Sequence, residues 1–158
     1  VKVLGLTIED PSQDAADTYD GILLATATDK VIIAGCNISG ARYGVNISTT
    51  DVKNVLVAYN NLQDNVAGFY NAGATTNIIV KRNLGYVTEN SDIATISAGS
   101  TSVTVNHGLT STPSKVLVTP VGDPGDRYWV ENITSTSFDI VVATAPSTDI
   151  NFHWEAEV

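Results

Sequence analysis

Short apolar runs recur along the first part of the chain, each cut off within a few residues by Gly, Asn or Asp. They are Val3-Leu4-Gly5-Leu6-Thr7-Ile8, Ile22-Leu23-Leu24, Val31-Ile32-Ile33-Ala34, Val45-Asn46-Ile47, Val55-Leu56-Val57-Ala58 and Ile78-Ile79-Val80. None extends to the length of a helix or shows a 3.6-residue spacing. Short β-branched runs bounded by turn residues predict strands.

The runs repeat. Val31-Ile32-Ile33-Ala34-Gly35-Cys36-Asn37-Ile38 aligns with Val55-Leu56-Val57-Ala58-Tyr59-Asn60-Asn61-Leu62, 24 positions on. Ile78-Ile79-Val80-Lys81-Arg82-Asn83-Leu84 follows after a further 23, with one residue dropped ahead of its Asn-Leu pair. Gly21, Gly44 and Gly68 form a second series with offsets of 23 and 24. A period of this size, with three short β runs per repeat, predicts a right-handed parallel β-helix of three to four coils over residues 1–90. In that register Ile33, Val57 and Val80 stack inward, as do Ile38, Leu62 and Leu84. Asn37, Asn61 and Asn83 form a ladder of buried amides at a bend. Residues 1–19 supply a further irregular coil with Val3–Ile8 as its strand, Asp10-Pro11-Ser12 as a turn and Asp14–Asp17 as a loop.

After Asn90-Ser91-Asp92, read as a junction, the period is lost. Six strands are expected at Ala94–Ser97, Thr101–Asn106, Lys115–Val121, Arg127–Ile133, Ser137–Ala143 and Asp149–Val158, separated by Gly-, Pro- and Ser-rich turns. The last alternates: Ile150, Phe152, Trp154, Ala156 and Val158 on one face, Asn151, His153, Glu155 and Glu157 on the other. This pattern predicts a small antiparallel β-sandwich over 93–158, with Phe152 and Trp154 as structural anchors. The fold class is therefore all-β.

Composition adds partners. Only 16% of residues are charged, against 43% hydrophobic. So few coils with so little surface charge predict lateral association, and a homotrimer is expected. The 17 acidic and 8 basic residues give a net charge of -9, which argues against nucleic acid and anionic membrane surfaces. No apolar run approaches bilayer length. The strand-like opening residues, with no signal-peptide layout, predict a chain that begins in mid-fold. Cys36 is the single cysteine, so no intrachain disulfide forms.

Candidate chemistry is sparse. Asp14, Asp17 and Asp20, with Glu9 and Asp10 nearby, are weak candidates for a glycosidase pair; no second cluster falls one coil away, and turn and solubility roles account for them better, so no catalytic residue is assigned. Tyr43, Tyr59, Tyr70 and Tyr86, with Tyr19, fall outside the inward positions of the repeat. Outward tyrosines are sugar platforms or subunit contacts. Arg42-Tyr43 falls beside Tyr19-Asp20 in the stack. His107 and His153 have no nucleophile motif near them, and no metal site or cofactor is expected. Asp123-Pro124-Gly125-Asp126 followed by Arg127 reads as a tight turn. Asn37, Asn46 and Asn132 each begin an Asn-Ile-Ser/Thr sequon.

Two resemblances carry implications. Val105-Asn106-His107-Gly108-Leu109, Thr112–Pro120, Arg127–Thr134, Ser137-Phe138 and Phe152-His153-Trp154-Glu155-Ala156 resemble a module at the C-termini of phage and prophage tail proteins. Their order also resembles the trimerising H-type lectin sandwich. Residues 1–90 resemble pectate-lyase-like coils and trimeric phage tail spikes. The resemblance implies the C-terminal part of a virion-borne, extracellular tail spike or fibre, whose sandwich caps the β-helix and trimerises it. It implies recognition of host cell-surface polysaccharide, with Tyr43, Tyr59, Tyr70, Tyr86, Arg127 and Tyr128 as candidate contacts. Alternatives are part of a polysaccharide depolymerase or a bacterial surface adhesin. Some phage appendages are cleaved near such junctions as Asn90–Asp92.

Overall fold

A computed structural model describes residues 1–10 and 18–158. Every regular element among them is a strand, and the chain is all-β. It divides into two units, Val1–Val87 and Thr88–Val158.

The first unit holds β1 (Lys2–Leu4), β2 (Thr7–Glu9), β3 (Ile22–Leu24), β4 (Asp29–Ala34), β5 (Asn37–Ser39), β6 (Tyr43–Ile47), β7 (Lys53–Ala58), β8 (Ala67–Asn71) and β9 (Ile78–Lys81). They form three sheets, ordered β1-β4-β7-β9, β2-β5 and β3-β6-β8, and the chain visits them in rotation, with only an isolated bridge at Asn61 in place of a strand between β7 and β8. Every pairing is parallel. Ile33 lies between Val3 and Val57, and Val57 pairs with Val80, so equivalent apolar residues stack. Between the sheets, Val31, Ile33, Ile38, Val45, Ile47, Val55, Val57, Leu62 and Phe69 form the buried core.

The register corrects one expectation. Partner separation is 24 at Val31↔Val55 and 23 at Val55↔Ile78, and the second spacing holds through the bend, where Asn61 bridges Leu84. No residue is dropped. Asn83 therefore stacks on Asn60, not Asn61, and Leu84 is 60% exposed rather than inward. The inner ladder is Cys36–Asn60–Asn83. The Cys36 N–H donates to Asn60 Oδ1 at 2.9 Å, and the Asn60 N–H and Nδ2 both donate to Asn83 Oδ1 at 3.0 Å. Asn60 Nδ2 also reaches the Ile33 carbonyl, and Asn83 Nδ2 the Val57 carbonyl. Asn37 and Asn61 form a separate, partly exposed ladder with Glu9: Asn61 Nδ2 donates to Asn37 Oδ1, and Asn37 Nδ2 to Glu9 Oε1.

The bend owes its shape to left-handed backbone. Gly35, Tyr59 and Arg82 have φ of 64°, 58° and 53°, each immediately before a ladder residue. Gly5 has the same conformation between β1 and β2, so Val3–Ile8 is two strands and not one. At another bend Gly21, Gly44 and Gly68 stack so closely that a Cβ on Gly44 would lie 2.8 Å from the Gly68 carbonyl oxygen.

Spacing changes at three places. Partners are 30 residues apart at Val3↔Ile33 and Ile8↔Ile38, but 23 apart at Ile22↔Val45, so the first repeat is longer between β2 and β3. The change between 23 and 24 occurs between β3 and β4 and again between β8 and β9. Asp14 and Asp17, and most of the turn and loop expected there, lie outside the described residues.

The second unit holds β10 (Glu89–Ile96), β11 (Ser102–Asn106), β12 (Lys115–Pro120), β13 (Tyr128–Glu131), β14 (Ser137–Val142) and β15 (Ile150–Glu157). Two antiparallel sheets form, ordered β10-β15-β12 and β11-β14-β13. Phe138 meets Trp154 edge-on at 5.6 Å, and Tyr128 meets Phe152 at 5.5 Å, so each ring pair joins one sheet to the other. Phe138, Ile140, Phe152 and Ala156 are fully buried. The expected junction Asn90-Ser91-Asp92 is instead part of β10, paired with Ala156, Glu155 and Trp154. The boundaries 1–90 and 93–158 move accordingly to the division at Val87/Thr88.

Candidate functional site

The sheet β3-β6-β8 turns Val45 and Ile47 into the core, so Asn46 lies on its opposite face between its register partners Leu23 and Tyr70, where its neighbours leave it buried. Just before β3, Asp20 presents a carboxylate whose side chain is only 5% exposed. Arg42, just before β6, meets it with two parallel bonds, Nε to Oδ1 and Nη2 to Oδ2, both at 2.9 Å. Asn46 Nδ2 donates to the same Oδ2 at 2.7 Å. The Arg42 guanidinium lies over the Tyr43 ring, 4.9 Å from its centre. Tyr43 in turn stacks on Tyr70 at 4.7 Å with a 16° interplanar angle. The result is a layered surface of guanidinium, Tyr43 and Tyr70, in which the partly exposed Arg42 is paired with a mostly covered Asp20 carboxylate.

Electrostatics fix the state of the acid. Burial pushes the Asp20 carboxyl up, but the hydrogen bonds from Arg42 and Asn46 and the Arg42 charge outweigh it and hold the group below the ordinary value of 3.8. The same pairing raises Arg42. A carboxylate kept ionised and filled by three donors is poorly suited to act as a general acid.

Comparison with protein-family models and with curated proteins found no match for this chain. The site must therefore be judged from its geometry alone.

Among the sequence candidates, Tyr43 and Tyr70 are brought together. Tyr59 is at a different bend, where Arg82 Nη1 donates to its hydroxyl at 3.0 Å. Tyr86 was expected to face outward, but it packs edge-on against Phe69 at 5.3 Å beside the core and is no free platform. The local register explains this: Tyr86 follows Gly85, whose backbone closes against Gly68 and Leu62. Tyr19 is exposed, and its carbonyl accepts from the Arg42 N–H. In the second unit Arg127 and Tyr128 are both exposed, and the Tyr128 ring also packs on Phe152.

Sequence reasoning placed Arg42 beside Asp20 without assigning it a role, and it missed Asn46 and Trp129. Arg42 and Asn46 complete the Asp20 cluster; Asn46 stood out only as a sequon residue, although it is a polar position in an otherwise apolar strand. Trp129 is a second accessible ring of β13; it is 41% exposed, with Nε1 donating to Glu131 at 2.7 Å, while Tyr128 is 40% exposed although its ring meets Phe152. Period-2 alternation from the inward Val130 turns Trp129 outward. Asp139 opposite is held by Thr104 and Asn132, and those bonds lower its pKa. His107 is buried and structural: Nδ1 accepts from the Leu109 N–H, and Nε2 faces the Thr134 carbonyl. Asp123 and Asp126 bond to their own turn and to Thr144. Among the described residues no three His, Cys, Asp or Glu side chains converge to hold a metal.

Proposed function

We propose that this chain is the C-terminal region of a homotrimeric phage tail spike or fibre and recognises host cell-surface glycan. In this reading the first unit is a stretch of right-handed parallel β-helix. The second is a β-sandwich like that of the H-type lectins, and it holds three chains together. The observation that carries the reading is the Tyr43–Tyr70 stack on the outer face of a parallel-stranded unit, bordered by Arg42 and Asp20. Aromatic faces take up the C–H faces of sugars while adjoining polar groups bond the hydroxyls.

Association is supported by a second outer surface. Ile32, Leu56 and Ile79 stack in register as the floor of an open groove of about 570 Å³, with Val1 beside them. An apolar row of this kind favours burial against another chain.

A glycan array with the full chain tests recognition. Specific retention of a surface polysaccharide is expected, without release of reducing ends. Light scattering tests assembly, with three times the 16.6 kDa chain mass expected. No retention on the array, or a mass of one chain at micromolar concentration, overturns the corresponding half of the proposal.

A further inference from the structure

We propose that the Asp20–Arg42–Asn46–Tyr70 cluster is a pyranose subsite that selects uncharged sugars over uronic and sialic acids. The inference rests on the glycan-recognition reading and adds the ligand class. Inside the cluster the charges already balance, one carboxylate against one guanidinium bound by two hydrogen bonds. The orientation of the Asn46 amide is also fixed. Its Nδ2 is drawn to the Asp20 carboxylate, so Oδ1 points away.

Asn46 is 97% buried, being 3% exposed, and its Oδ1 is the one buried side-chain polar atom without a partner among the described residues. A buried acceptor left unmade is costly, and it is satisfied only by an O–H or N–H. A hydroxyl or an N-acetyl amide supplies that donor. Uronic and sialic acids also carry hydroxyl donors, but their ionised carboxylate brings acceptors alone, and the one cation of the cluster is already paired with Asp20. Leu23 and Tyr70 flank Asn46 in register and are 51% and 42% exposed. We take Leu23, the exposed register neighbour, as the side chain that must move for a donor to reach Oδ1, with Tyr70 as the platform for the ring.

The test is calorimetric titration of the full chain with two sets of hexasaccharides. One set is uncharged and includes N-acetylated members; the other carries uronate or sialate. Binding of the uncharged set is expected, with Tyr70→Ala weakening it by about tenfold or more. Asn46→Leu should reduce the preference for uncharged over charged sugars by a similar factor. A purely structural Asn46 would leave that ratio unmoved, which overturns the inference. Where Asn46→Leu does not fold, Leu23→Trp at the exposed entry is expected to block the uncharged set. Free binding by Leu23→Trp overturns the inference too. Tighter binding of the charged set overturns it but leaves glycan recognition standing. Binding of neither set overturns both.

Discussion

Cys36 occupies the ladder position that Asn60 and Asn83 hold one and two repeats later, and its thiol does part of the amide's work. Cys36 Sγ faces the Val3 carbonyl at 3.7 Å, as Asn60 Nδ2 faces Ile33 and Asn83 Nδ2 faces Val57. A thiol is the weaker donor. Cys36→Asn is therefore expected to leave the urea midpoint unchanged or raise it. Asn60→Ala removes bonds to both neighbouring repeats and should cost roughly 1–3 kcal/mol. Asn61→Ala, on the partly exposed ladder, should cost less than Asn60→Ala, and equal losses would contradict the observed register. The sequence revealed the presence of amide ladders but not which Asn of the 60–61 pair turns inward. Matching Asn-Leu pairs by identity required a deletion that the evenly spaced backbone does not make. Asp20 gives a pH prediction. Its folded-state pKa lies below 3.8, so its stabilisation is present above that value and is lost as pH falls through the folded value. The urea midpoint should drop on acidification from about pH 5 to pH 3, and Asp20→Asn should flatten part of that drop.

At the scale of the element, what a strand faces decides how well its sequence shows it. In the first unit, β4 and β7 bury alternate residues against a core and were legible as apolar runs. β10 was only half seen. Its residues Glu89–Asp92 are polar, yet backbone bonding to β15 continues along them, and hydrogen-bond pairing leaves no trace in side-chain polarity. For the Asp20 cluster the repeat brought Arg42 beside Asp20, but the bidentate bond and the part of Asn46 rest on side-chain geometry that periodicity does not encode. The glycine column was legible, and its reason is steric. Gly44→Ala would force a methyl group against the Gly68 carbonyl and the Leu62 side chain. The expected loss is about 1–3 kcal/mol, read as a lowered denaturation midpoint. A neutral result would mean that neighbouring repeats can separate at that bend without cost.

For the whole molecule, charge and fluorophores are unevenly shared. The second unit has nine acidic residues against Lys115 and Arg127, whereas the first has eight against six basic ones. Both tryptophans, Trp129 and Trp154, lie in the second unit. Tryptophan emission therefore reports that unit alone. Its unfolding midpoint should rise with added salt as self-repulsion is screened. Insensitivity to salt between about 0.02 and 0.5 M would show that the acids are too dispersed to repel. Trp154→Ala should lower the same midpoint strongly, by roughly 3–5 kcal/mol. The bends of the first unit bear on how the chain tolerates inserted sequence. Val3 to Ile8, Ile33 to Ile38 and Val57 to Leu62 are the same five-residue step, and the ladder crosses this bend. All variation in repeat length falls elsewhere. A peptide grafted between Ile47 and Lys53 would be carried outward as a longer loop. The same graft beside Asn60 would break the continuity of the amides and put every following strand out of step. The fold thus has built-in sites for display and one seam that must be copied without error.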